Sequence, residues 1–110
     1  MKEIVEVLAR KGVVCRRLER VEPRELASRK RVEIYHGVMA NDYYCMALVL
    51  RKKSRILKKD AEEFMELHRR LEERMDANIK RCYLLFDAPL CSQAADRLRE
   101  KGWRLLPLPA

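Results

Sequence analysis

With 110 residues, 48% hydrophobic and 38% charged, the chain has the length of one compact domain and a composition too apolar for a disordered one. No apolar run reaches the ~20 residues that a membrane-spanning helix needs, and Met1-Lys2-Glu3-Ile4 lacks a secretory signal pattern, so a cytoplasmic location is expected. Lys and Arg number 25 against 17 Asp and Glu, a formal charge of +8 that favours polyanions as partners.

Residues 2–11 read as a helix, with Ile4, Val5 and Leu8 sharing a face and Gly12 placed to end it. Val13-Val14-Cys15 begins a strand that turns polar at Arg16 and Arg17, and Pro23 to Ser28 suits a short helix or a loop. Val32 to Met39 reads as a second strand, Asn41-Asp42 as a turn, and Tyr43 to Lys53 as a third strand, together a hairpin. The third strand is apolar on both faces at its centre, the pattern of a strand covered by helices on both sides.

Asp60-Ala61-Glu62-Glu63 has capping-box spacing with Asp60 as the cap, opening a helix that runs to about Asp76. Phe64, Leu67, His68, Leu71 and Met75 form its inward stripe, and Arg69, Arg70, Glu72, Glu73 and Arg74 its outer face. Arg81 to Phe86 is a fourth strand, Ser92 to Lys101 a helix stopped by Gly102, and Trp103 to Leu106 a last short strand, after which Pro107 and Pro109 end order. The sequence order is α-β-(α)-β-β-α-β-α-β. A hairpin followed by strand–helix–strand crossovers predicts an α/β fold, a mixed sheet flanked by helices.

Cys15, Cys45, Cys82 and Cys91 show no zinc-knuckle spacing, and the first three sit in apolar strand contexts that suit small buried side chains. Cys91 stands at a helix start, where the dipole lowers a thiol pKa, but no Gly-rich anion loop or partner His accompanies it. Scarce amides, the lack of Thr and dense charge resemble a thermophile's composition, against which the five Met residues count. Six of the nine residues from Arg51 to Lys59 are basic, and this run could track a phosphate backbone or form a solvated loop. Tyr43 and Tyr44 could stack on bases, though such residues more often fill a sheet. His36 could serve a metal or a proton transfer; a lone His is more often a satisfied donor or a surface residue.

The apolar run Tyr44 to Leu50 ends in Arg51-Lys52-Lys53-Ser54-Arg55. Phosphodiester hydrolysis with Mg²⁺ needs hard oxygen ligands and a cation near the attacking water or the scissile phosphate. A hairpin supplies these when an acid on one strand faces an acid-x-lysine on the next.

At Lys2-Glu3-Ile4-Val5-Glu6-Val7-Leu8-Ala9-Arg10-Lys11-Gly12-Val13-Val14, at Val32-Glu33-Ile34 and at Arg51 to Arg55, the chain resembles the archaeal Holliday junction resolvases. These belong to the restriction-endonuclease-like, or PD-(D/E)XK, superfamily. The resemblance covers about residues 2–87 and implies a homodimeric nuclease-like fold, with Glu3 as the opening acid, Glu33 as the metal ligand and Lys53 as the lysine. Three departures stand out: Glu33 replaces an aspartate, the segment from Ala88 to Ala110 is longer than the family's ending, and Arg51 occupies the third acid's place.

Arg51 decides the functional reading. Two unit charges ~4 Å apart interact at roughly 4 kcal/mol at an effective dielectric of 20, and a divalent ion facing a guanidinium doubles that as repulsion. Pointing inward, Arg51 would pair with Glu33; pointing outward, it would grip phosphate bidentately. The leading expectation is DNA binding, branched or duplex, by a catalytically degenerate nuclease relative that needs no cofactor. Arg51, Lys52, Arg55, Lys58 and Lys59 would be the contacts, with Lys53 beside them. The alternative is an active Mg²⁺- or Mn²⁺-dependent endonuclease using Glu3, Glu33, Lys53 and a carboxylate relocated to Asp60, Glu62 or Glu63. A protein-interaction module is the third reading.

Overall fold

The computed structural model describes residues 2–26, 32–51 and 55–109. Three α-helices and five strands follow one another as α1 (Lys2–Arg10), β1 (Cys15–Val21), a 3-10 helix (Pro23–Leu26), β2 (Glu33–Met39), β3 (Tyr44–Leu50), α2 (Lys58–Met75), β4 (Ile79–Phe86), α3 (Ser92–Glu100) and β5 (Arg104–Pro107). The strands lie side by side in the order β1-β2-β3-β4-β5. β2 runs antiparallel to both its neighbours, β1 and β3, and β3, β4 and β5 run parallel. Each parallel step is bridged by a helix, because a parallel return cannot be made by a tight turn.

Successive side chains of a strand point to opposite faces, so each strand serves two cores. One core holds Ile34, Met46, Leu48, Leu50 and Leu84 beneath Phe64, Leu67 and Leu71 of α2 and Leu98 of α3. The other holds Leu18, Tyr35, Ala47, Val49 and Leu85 beneath Ile4, Val7 and Leu8 of α1. The central strand β3 is buried from Cys45 to Leu50, as a strand covered on both faces must be.

Several local expectations change. On α1 the inward face is Ile4, Val7 and Leu8, whereas Val5 is exposed. Helix α2 begins three residues early, and Asp60 is not its N-cap. Leu57 holds that position, and Asp60, one turn in, reaches back so that its Oδ2 accepts the Leu57 N–H at 2.8 Å. Within the inward stripe of α2, His68 is only half-buried; its Nε2 lies 2.9 Å from the Ile79 carbonyl and its ring meets Trp103 edge-on. Pro107 does not end order but closes β5, and the Leu108 N–H donates to the Phe86 carbonyl at 2.7 Å. The four cysteines are free thiols, with the Cys15 and Cys45 sulfurs 3.9 Å apart. Burial pushes the Cys82 thiol up to about 12.

Candidate functional site

Alternation along the strands brings chemistry to one end of the sheet. On β2, Glu33 and Tyr35 share the face covered by α1, while Ile34 belongs to the other core. On β3, Val49 lies on the α1 side and pairs with Glu33, and Arg51, two residues on, follows the same side. Glu3 sits in the first turn of α1. The three residues meet. Arg51 Nη1 donates to Glu33 Oε2, and Arg51 Nη2 donates to Glu3 Oε1 at 3.1 Å.

Two further residues complete the arrangement, and neither was singled out from sequence. The Tyr35 hydroxyl donates to Glu33 Oε1 at 2.8 Å, and Arg20 Nη1 of β1 lies 3.8 Å from the same oxygen. Burial, then the hydrogen bond to Glu33, raises the Tyr35 pKa and keeps it a donor. Tyr35 is legible two positions after Glu33 on the same face. Arg20 becomes a neighbour only through the Arg20–Tyr35 pairing of β1 and β2. A cleft of about 380 Å³ opens here, lined by Arg20, Glu33 and Arg51 with Pro23, Val32 and Val49. Asp87 follows β4 next to Arg51 in the sheet, its N–H 3.3 Å from the Leu50 carbonyl.

A divalent ion does not fit these residues. Each Glu33 oxygen already accepts a hydrogen bond, and the guanidinium of Arg51 sits between the two glutamates. Among the described residues no three His, Cys, Asp or Glu side chains gather in a way that could hold a metal. Lys52 and Lys53 lie outside the described residues.

The proposed relocated acids begin α2, which packs on the opposite face of the sheet. Asp60 is buried and accepts the N–H of the N-cap Leu57, and Glu62 Oε1 accepts from Arg97 Nε of α3 at 2.8 Å. Glu63 is exposed one turn along the same helix. His36 also faces away from Glu33: it stacks on Tyr44, ring centroids 5.6 Å apart.

Arg55, Lys58 and Lys59 are all exposed. Lys58 and Lys59 open α2, where a cation opposes the positive end of the helix dipole, so an anion brought there relieves the repulsion. The start of α3 lies alongside: Ile56 bridges Leu90, and the Cys91 N–H donates to the Ile56 carbonyl at 3.0 Å. Cys91 caps α3, and the N–H groups of Ala94 and Gln93 lower its thiol pKa.

No family profile and no curated protein sequence matches the chain. Solved structures do. A repair endonuclease from Pyrococcus abyssi matches with a TM-score of 0.56 at 13% identity, over 97% of this chain and 46% of that one. EndoMS in apo form matches with a TM-score of 0.54 at 16% identity, over 99% of this chain and 46% of its own. An EndoMS complex with double-stranded DNA matches at 0.52 and 16%, over 99% of this chain and 45% of that one. The chain thus spans under half the length of the structures it matches. At these identities the likeness speaks to architecture alone: a mixed α/β fold similar to that of these nuclease structures.

Proposed function

We propose that this domain binds DNA, duplex or branched, and that its nuclease-type pocket is silenced by Arg51. The carrying observation is the guanidinium bound to both Glu33 and Glu3, the two acids that the resemblance to the archaeal resolvases would give to catalysis. Replacing a carboxylate by that guanidinium removes an anionic ligand and adds a like charge where a divalent ion would sit. Arg51 is then a lock on Glu33 more than a phosphate contact. Arg55, Lys58 and Lys59, exposed at the paired starts of α2 and α3, are the phosphate contacts, joined by Lys52 and Lys53 of the same basic run. We include a homodimer in the proposal; sedimentation of the purified chain at micromolar concentration checks it.

The test is binding of a duplex and a four-way junction across salt concentration. Five phosphate contacts give log K a slope of about −4.5 against log salt. The companion test incubates the junction with Mg²⁺ or Mn²⁺, where no cleavage is expected. Cleavage that disappears in Lys53→Ala would overturn the silenced reading in favour of an active nuclease. Affinity independent of salt would overturn DNA binding and leave a protein-interaction module.

A further inference from the structure

The far end of the hairpin carries a second cluster that the pocket around Arg51 does not use. Tyr43 precedes β3, and Tyr44 opens it. Both are 40% exposed. The Lys80 ammonium lies 5.3 Å, and the Arg81 guanidinium 5.0 Å, from the centroid of the Tyr43 ring. Both cations are exposed, and among the described residues neither has a carboxylate partner. Farther along this end of the sheet, Arg16 of β1 pairs with Asp42 of the hairpin turn, and Arg17 Nε lies 3.7 Å from Glu19. Tyr44 turns to the other face and stacks on His36 with the rings inclined by 23°.

The backbone does not need the Tyr43 side chain. Its N–H donates to Asn41 Oδ1 at 3.2 Å, and its carbonyl accepts from the Met39 N–H at 2.8 Å, so the turn is closed by main-chain groups and Asn41. An exposed aromatic ring that does not fill the core, held under two unmatched cations, suits a nucleobase on the ring with its flanking phosphates on the cations. A duplex hides its base faces, so the ligand this arrangement fits is an unpaired strand.

The geometry points to Tyr43, Lys80 and Arg81 as a binding site for single-stranded nucleic acid, separate from the duplex contacts near Arg51. From Tyr44 to Arg51 the chain advances seven residues, about 24 Å at strand rise, so the two sites lie at opposite ends of a molecule whose longest extent is 33 Å. The proposal rests on the nucleic-acid reading only in the class of its ligand; its residues are different.

The test uses the full chain, a fluorescein-labelled oligothymidylate and a blunt duplex, read by anisotropy, with thermal unfolding as a check on the fold. Tyr43→Ala should weaken oligothymidylate binding by about tenfold and leave duplex binding within about twofold, while Tyr43→Phe retains the affinity. Lys80→Ala combined with Arg81→Ala should flatten the single-strand salt slope by about 1.4. Unchanged oligothymidylate affinity in Tyr43→Ala overturns the site. So does polyglutamate that displaces the oligonucleotide as well as an unlabelled strand of equal charge, which assigns the patch to an acidic protein segment. Loss of duplex binding with intact single-strand binding would refute the pocket-end reading and leave this one standing.

Discussion

Replacing Arg51 with glutamate reverses the one charge that, among the described residues, touches both Glu33 and Glu3. A unit charge about 4 Å from another is worth roughly 1 kcal/mol in bulk water and roughly 4 at an effective dielectric of 20. The Arg51 side chain is 42% exposed and that of Glu33 26%, so the aqueous end of that range governs. A divalent ion doubles the interaction and the sign reversal doubles it again, to about 4 kcal/mol between variant and native chain. At 1.4 kcal/mol per tenfold, this is a gain in Mn²⁺ affinity of two to three orders of magnitude, and salt at 0.1 M trims little of it over so short a distance. Isothermal calorimetry with Mn²⁺ reads the gain directly, and Arg51→Gln should show about half of it on a logarithmic scale. Thermal unfolding gives a second readout. Without metal, three clustered carboxylates repel and Tm falls; with Mn²⁺ at a hundredfold over its Kd, binding restores about 2.7 kcal/mol. Heats for Arg51→Glu that match those of the native chain would refute the reasoning, because the guanidinium would then not be what excludes the ion.

Three further outcomes follow from the packing. Gly37→Ala places a methyl 2.4 Å from the Arg17 carbonyl oxygen and 2.9 Å from Leu18 Cδ1, so β1 must shift from β2; denaturant unfolding should show a loss of about 1–3 kcal/mol. Asp60→Ala removes the acceptor for the Leu57 N–H at a site that is 3% exposed, and should cost about 1–2 kcal/mol by the same assay without altering DNA affinity. Burial depresses the His36 pKa below its ordinary 6.5, opposed by Glu19 and assisted by Arg17. Because the unfolded chain then binds the proton more readily, stability should fall as pH drops below about 6.5, and His36→Phe should flatten that decline in chemical denaturation.

Much of the architecture is legible because periodicity is strong. The run from Cys45 to Leu50 announces a strand buried on both faces, and Phe64, Leu67 and Leu71 announce the buried stripe of α2. The start of α2 is not legible. Its N-cap is Leu57, which has no side-chain acceptor, so the carboxylate at Asp60 reads as the cap when it is the residue reaching back to it. Val5 misleads in the same way: it is apolar and next to Ile4, yet it sits on the outer side of a one-sided helix. At the site, Glu3, Glu33 and Arg51 are brought together from three elements, a convergence that the resemblance to a resolvase anticipates. Arg20 is invisible in the sequence because its position beside Glu33 depends on the register of β1 against β2. That register shifts between Cys15 and Arg17, and nothing in the residue pattern fixes an irregularity of this kind.

An ion held by acids from separate elements is also a rivet. Arg51, anchored at the end of β3, performs that mechanical task with its own side chain, joining the amino-terminal helix to the hairpin through Glu3 and Glu33. On the proposed reading of a pocket silenced by Arg51, a chelator that would loosen an ion-riveted joint finds no ion to extract here. The docking of α1 should therefore be indifferent to magnesium, and amide exchange along residues 4–10 should run at the same rate in EDTA as in millimolar Mg²⁺.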